Sequence, residues 1–202
     1  MPNFKKFLNK KITFLFVFVF ILIVGGLFFW WQNREIKGSV DDYVIRETAE
    51  GKIVENKKAG FSIKAPEGWE VEKMDIGEGL IVFYSPNIEG ELENGKIVPP
   101  IRKGCVIHVN MMYEKMSLNQ LKLEAKYNLA LLDVKFEEFE EVMINNYQAL
   151  KITADTQKIG DIVGIDIPYK NRAYSFSLLF SRDDENNCIK EFDEFLERVL
   201  IQ

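Results

Sequence analysis

"AGFSIKAPEGWEVEK", residues 59–73, holds two alternating runs on either side of Pro66-Glu67-Gly68. Phe61, Ile63 and Ala65 alternate with Ser62 and Lys64, and Trp69 and Val71 alternate with Glu70 and Glu72. Successive side chains of a strand point to opposite faces, so each run reads as a half-buried strand. Pro66 presets the first turn angle and Gly68 takes a positive φ. The spacing predicts a hairpin in which Ala65 faces Trp69 and Ile63 faces Val71, with the indole aimed into the core. Pro66, Gly68 and Trp69 are then turn and core residues; the competing role for Trp69 is to stack against a ligand.

The same alternation recurs on both sides of this stretch. "YVIRETAEGKIVEN" (43–56) reads as two short strands around Glu50-Gly51, "LIVFYSP" (80–86) as another, and "CVIHVNMMY" (105–113) as another, with Cys105, Ile107, Val109 and Met111 on one face. Residues 87–104, rich in Gly, Pro and Glu, read as an exposed insertion loop. Ser117-Leu118-Asn119-Gln120 fits a capping box, and Leu118, Leu121, Ala125, Leu129 and Leu132 follow at helical spacing. Two strand pairs turn at Asn145-Asn146 and Lys170-Asn171. Asp183 or Asp184 can cap a terminal helix that buries Cys188, Phe192, Phe195 and Val199. The order predicts an α+β domain, an antiparallel sheet with helices packed against it, over residues 43–202.

The amino-terminal end is different in kind. Residues 12–31, "ITFLFVFVFILIVGGLFFWW", carry no charge and as a helix span roughly 30 Å, the thickness of a bilayer's hydrocarbon core. The run is longer than a signal-peptide core and ends in Trp30-Trp31-Gln32, without a small-residue cleavage site. Lys5, Lys6, Lys10 and Lys11 precede it, so the positive-inside rule places residues 1–11 in the cytoplasm. Residues 32–42 are then a tether, and the domain lies outside, in a periplasm or at the cell surface.

Net charge narrows the partners. The chain holds 26 basic and 31 acidic residues; with four lysines before the helix, the remainder has 22 against 31, a net of −9. Such a surface repels phosphate backbones and anionic headgroups, so no nucleic-acid partner is expected. A cationic protein surface or a divalent cation fits.

The strand beginning Gly60-Phe61-Ser62, then Pro66 and Trp69, then "VFYSP", the capped helix, the turn at Asn145-Asn146 and "AYSFSLLF" before a terminal helix together resemble the PsbP-like domains, over roughly residues 43–201. The resemblance implies an α/β/α sandwich around a central antiparallel sheet, without enzymatic activity, helping a larger membrane complex. The family often closes with a short strand after the last helix, where this chain stops at Gln202. The shared motifs are turn and core residues and specify fold rather than activity.

Catalytic spacings are missing: there is no nucleophile elbow, no phosphate loop and no zinc pairing, and no cofactor is expected. The one histidine, His108, falls mid-strand on the face opposite Cys105. Cys105 and Cys188 both fall on apolar faces in a compartment that permits disulfides, and either bridge or remain two buried thiols. Glu89, Glu91 and Glu93 can offer oxygens to calcium, without the regular ladder of an EF-hand loop. The expected function is a non-catalytic, membrane-anchored binding or assembly module acting on a membrane or envelope protein complex. The alternative is an extracytoplasmic receptor for a small molecule or divalent cation, using a sheet face or the Glu-rich segment.

Overall fold

The computed structural model describes residues 38–202, apart from 50, 77, 78, 94, 95 and 157–159, together with Ile23 and Gly26. The expected membrane helix therefore lies, save for those two positions, outside the described residues, as do the cytoplasmic end and residues 32–37 of the tether. Among the described residues no helix is long and apolar enough to cross a membrane. The chain divides into two compact units, Met1–Ile36 and Lys37–Gln202. The described residues of the second form two sheets, a ribbon and two α-helices.

Strands β1 (Val44–Thr48), β2 (Gly51–Asn56) and β3 (Phe61–Lys64), with the closing strand β13 (Leu200–Ile201), form a four-stranded sheet in the order β1-β2-β3-β13. Strands β4 (Glu70–Met74), β5 (Leu80–Tyr84), β8 (Cys105–Met112), β12 (Arg172–Phe180), β11 (Gly160–Tyr169), β10 (Tyr147–Thr156) and β9 (Val134–Ile144) form a seven-stranded antiparallel sheet in that order. A separate ribbon pairs β6 (Glu89–Glu93) with β7 (Lys96–Lys103), and the two α-helices are α1 (Leu118–Ala130) and α2 (Glu185–Glu197).

The hairpin expected at Pro66-Glu67-Gly68 does not form. β3 pairs with β2 and β13, whereas β4 pairs with β5, so Ile63 stands opposite Val54 and Val71 opposite Phe83. The Ala65 N–H donates to the Lys52 carbonyl at 2.8 Å, carrying the β2–β3 pairing up to the turn. The Trp69 N–H donates to the Pro66 carbonyl at 3.2 Å with Gly68 at φ 77°. The turn passes the chain from the small sheet to the large one. A period of two looks the same whether the two strands pair with each other or with strands elsewhere.

One face of the large sheet is aromatic and aliphatic. Register aligns Phe83, Ile107 and Leu178 in one row and Ile81, Val109 and Phe176 in the next. Helix α2 and the small sheet cover it: Phe195 meets Phe83 edge-on with ring centroids 5.0 Å apart, and Phe61 lies 6.2 Å from both Tyr174 and Phe176. Cys105 of β8 is joined to Cys188 of α2 by a disulfide, with Cα atoms 5.6 Å apart. On the opposite face Leu121 and Leu129 of α1 pack on Leu150, Ile152, Ala154 and Ala173. Ile101 of the ribbon packs on Met74, Val82, Tyr84, Val106 and Leu179.

This corrects the expected α/β/α sandwich. Among the described residues thirteen strands stand against two α-helices of 13 residues each, and the molecule is mostly antiparallel sheet. Seven strands at about 4.8 Å spacing are about 30 Å across, whereas one helix covers about 10 Å. The remaining area on each face is covered by strands: the small sheet on one side and the ribbon on the other. The ribbon also replaces the loop expected at residues 87–104, and cross-strand pairs between Glu91 and Arg102 at 3.1 Å and between Glu89 and Lys103 at 3.4 Å line its surface.

Two termini differ from expectation as well. A closing strand does follow the last helix: β13 pairs with β3, and the Gln202 N–H donates to the Gly60 carbonyl at 2.8 Å. Gly60, at φ 64°, leaves room for this, since a Cβ there would lie 2.5 Å from the Gln202 oxygen. Asp184 precedes α2 but makes no capping bond to it; its carboxylate accepts the Gly104 N–H at 2.7 Å. Ser117 and Gln120 do form the reciprocal capping box at the start of α1.

Candidate functional site

Three surfaces gather polar or apolar side chains in ways that packing alone does not require. The first surrounds the sheet-to-sheet turn. A cleft of about 820 Å³ runs between Pro66-Glu67-Gly68 and the β1–β2 turn, with Lys52, Lys64, Glu70 and Arg198 on its walls. Trp69 borders it but is only 4% exposed. Its indole N–H donates to Glu191 of α2 at 2.9 Å. The ring thus ties the turn to the helix, and its one polar atom is already engaged. Lys52 and Glu70 pair across the cleft at 2.5 Å.

The second surface lies beside α2, where the large sheet extends past the helix toward its β9 edge. A groove of about 610 Å³ has Val142, Ile144, Val163, Ile165, Ile189 and Phe192 among its lining. Its charged lining is Asp155, Asp161, Glu185 and Asp193 with one cation, Lys151. Arg182 holds Asp155 and Asp161 at 3.0 and 2.8 Å, which leaves Glu185 and Asp193 on the helix side. The flanking elements are acidic: β9 has one lysine against four glutamates, and α2 one lysine against five carboxylates. β9 is an edge strand, paired only with β10, so one row of its backbone groups is open to a further strand.

The third surface is the strip between α1 and the ribbon. Register sets His108 opposite Ser177 and Val82, Asn110 opposite Ser175 and Leu80, and Ser175 opposite Asp166. Ser177 is opposite Gly164, which brings no side chain. Five polar side chains from three neighbouring strands therefore lie in two adjacent rows, between the apolar cluster under the ribbon and the one under α1. Burial lowers the His108 pKa to about 4, keeping its ring neutral. Burial raises the Asp166 carboxyl to about 6; a hydrogen bond from Ser175 opposes that rise and the nearby Glu124 of α1 adds to it.

The structure separates the residues singled out from sequence. Cys105 and Cys188 meet in the disulfide, and Trp69 and Gly68 sit at the turn. Glu89, Glu91 and Glu93 lie along β6, exposed, with Glu89 and Glu91 paired to Lys103 and Arg102. Among the described residues no three His, Cys, Asp or Glu side chains are grouped to hold a metal ion. His108 belongs to the third surface, whose acidic member, Asp166, sequence reasoning passed over. The signal was a lone acid alternating with Ile165 and Ile167, as Ser175 and Ser177 alternate with Tyr174, Phe176 and Leu178. Only the register between strands aligns these polar positions.

No protein-family model matches the chain, and no curated protein sequence matches it. Solved structures do. A protein from Bacteroides thetaiotaomicron is similar at 17% identity and TM-score 0.47, over 76% of this chain and 49% of that one; the chain thus spans about half of that protein's length. The cyanobacterial PsbP protein (CyanoP) of Synechocystis sp. PCC 6803 is similar at 10% identity and TM-score 0.45, over 84% of this chain and 96% of that one. A Pseudomonas aeruginosa protein of unknown function, PA94, is similar at 7% identity and TM-score 0.43, over 79% and 97%. These are likenesses of chain fold, at identities that carry nothing about activity.

Proposed function

We propose that residues 43–202 are a PsbP-like, β-rich domain held outside a membrane by the segment 12–31, and that it serves without catalysis as a binding or assembly module for a membrane or envelope protein. The observation that carries this reading is the groove beside α2. Its apolar floor next to an open strand edge fits an extended polypeptide, which adds backbone hydrogen bonds and drops alternate side chains into the groove. Its acidic borders select a segment rich in lysine and arginine. The net −9 of the chain beyond the apolar run supports the same partner chemistry and disfavours nucleic acid or an anionic bilayer. The disulfide supports an oxidising compartment, where such bonds persist.

The test uses the full-length chain in intact membranes with a photocrosslinking residue at Ile144, inside the groove, or at Leu123, 71% exposed on α1. The reading predicts a discrete adduct with a membrane or envelope protein from position 144 only, abolished by Glu185→Lys with Asp193→Lys. The same adducts from both positions, or an adduct indifferent to the charge reversal, would sink it.

A further inference from the structure

The groove beside α2 changes character along its length. The Asn145 side chain donates to the Leu196 carbonyl at 2.8 Å, so the carboxy-terminal end of α2 lies by the β9–β10 turn. Arg182, just ahead of the helix, holds Asp155 and Asp161 at the other end. α2 and β9 therefore run the same way, and both walls follow one gradient. Next to the turn they are apolar, with Val142 and Ile144 from β9 and Phe192 and Leu196 from α2. At the far end α2 brings Glu185. There β9 brings Glu138 and Glu140, which share the face of Val142 and Ile144 by strand alternation. Lys151 stands opposite Glu140 and only Thr153 opposite Glu138; among the described residues Glu138 and Glu185 make no ion pair. Asp193, one turn before Leu196, is the exception to the gradient.

The other face of β9 is balanced. Phe139 packs with the α1 cluster there, and Glu137 and Glu141 flank it on the same face. Lys122 and Lys126 of α1 stand over its ring, each 5.4 Å from the centroid, and offset those two carboxylates. The open edge also has a fixed phase. Asn145 and Asn146, at φ 48° and 69°, join β9 to β10 in a two-residue hairpin turn. Ile144 and Tyr147 then exchange backbone bonds, and at alternate positions Val142, Glu140 and Glu138 also turn theirs toward β10. Met143, Glu141, Phe139 and Glu137 present their N–H and carbonyl groups to the open side.

Resting on the assembly reading, we propose that the partner segment is a strand antiparallel to β9 that reads, from its amino-terminal end, two alternate apolar residues and then two alternate lysines or arginines. The apolar pair lies opposite Ile144 and Val142, and the basic pair opposite Glu140 and Glu138, where Glu185 adds to the attraction. The residues between them face the balanced side and are neutral; their backbones bond to Met143, Glu141 and Phe139. Antiparallel pairing is the more stable way to extend an antiparallel sheet, and it is what puts the apolar half first. A second copy of β9 brings glutamates to a rim that is already acidic, so the occupant is a different polypeptide.

The probes are fluorescein-labelled heptapeptides of one composition, titrated by anisotropy against the full-length protein in detergent. They are Val-Thr-Val-Thr-Arg-Thr-Arg, its reverse Arg-Thr-Arg-Thr-Val-Thr-Val, and the interleaved Val-Thr-Arg-Thr-Val-Thr-Arg. The first is expected to bind about tenfold more tightly than the other two, because only it matches both halves of the groove. N-methylation of its middle threonine, whose N–H meets the Glu141 carbonyl, should abolish binding. N-methylation of the arginine that follows, whose N–H points away from β9, should leave binding unchanged. Glu138→Lys with Glu185→Lys should lose the first peptide and gain its counterpart with glutamate in place of both arginines. No binding, equal affinity for the three orders, tolerance of the middle N-methyl group, or failure of the charge exchange would each overturn the proposal. The assembly reading falls separately, when position 144 yields no adduct in membranes.

Discussion

The two faces of the seven-stranded sheet are covered in opposite ways. Under α2 and the small sheet the layer is continuous: Phe61, Phe83, Phe176 and Phe195 interlock, and Cys188 fastens the helix to β8. On the other face α1 and the ribbon each seal one patch, and between them His108, Asn110, Ser175 and Ser177 face partial solvent beside the buried Asp166. The difference follows cover. Where a second layer reaches, inward-facing positions are aromatic or aliphatic; where it stops, the same strands switch to polar residues at alternate positions.

The strongest test of the closed face is its covalent fastening. Converting Cys105 and Cys188 together to serine, or reducing the bond, should lower unfolding stability by about 4–5 kcal/mol, from the chain entropy of a loop closed across 83 residues. Denaturant titration with and without reductant measures it, and equal midpoints would mean that packing alone holds α2. Next comes the turn. Trp69→Ala should cost about 3–5 kcal/mol by the same titration, because a buried ring and its bond to Glu191 are both lost. A near-neutral result would return Trp69 to the ligand-binding role weighed from sequence.

The open face should give the smallest effect, through pH. The native pKa of His108 is lowered, from the ordinary 6.5 to about 4. Its contribution to stability is therefore complete above about pH 6.5 and is lost as pH falls toward 4, where the unfolded chain binds the extra proton. The native pKa of Asp166 is raised, from 3.8 to about 6. Its contribution is complete below about 3.8 and is lost as pH rises through 6. The two slopes oppose each other in the wild type between pH 4 and 6. His108→Gln should leave stability falling with rising pH across that window, and Asp166→Asn should leave it rising. Parallel slopes in the two variants would contradict the burial of one or both groups.

Much of this was legible in the sequence, and the omissions have a common cause. Alternation placed Phe61, Ile63, Tyr174 and Phe176 inward, and the capping box at Ser117 marked the start of α1, because these are local patterns set by a strand's or a helix's own period. Partnership is not local. Ser62 and Lys64 alternate with Phe61 and Ile63 identically whether β3 pairs with β4 or with β2, so the hairpin and the two-sheet corner could not be told apart. The ribbon was hidden because Pro99 and Pro100 argue against a strand, while the pairs that support it, Glu89 with Lys103 and Glu91 with Arg102, join residues more than ten apart. His108, Ser175 and Asp166 were each visible as polar exceptions, and their convergence depends on strand order alone.

The Cys105–Cys188 bond also encloses both exposed turns at Asn145-Asn146 and Lys170-Asn171. A protease that cuts either turn produces two pieces, one carrying each cysteine, on a single covalent thread. Clipping there sheds no fragment and leaves apparent mass unchanged on a non-reducing gel. Release of the carboxy-terminal piece then waits on a thiol reductant, so degradation at these turns takes two chemical events in place of one.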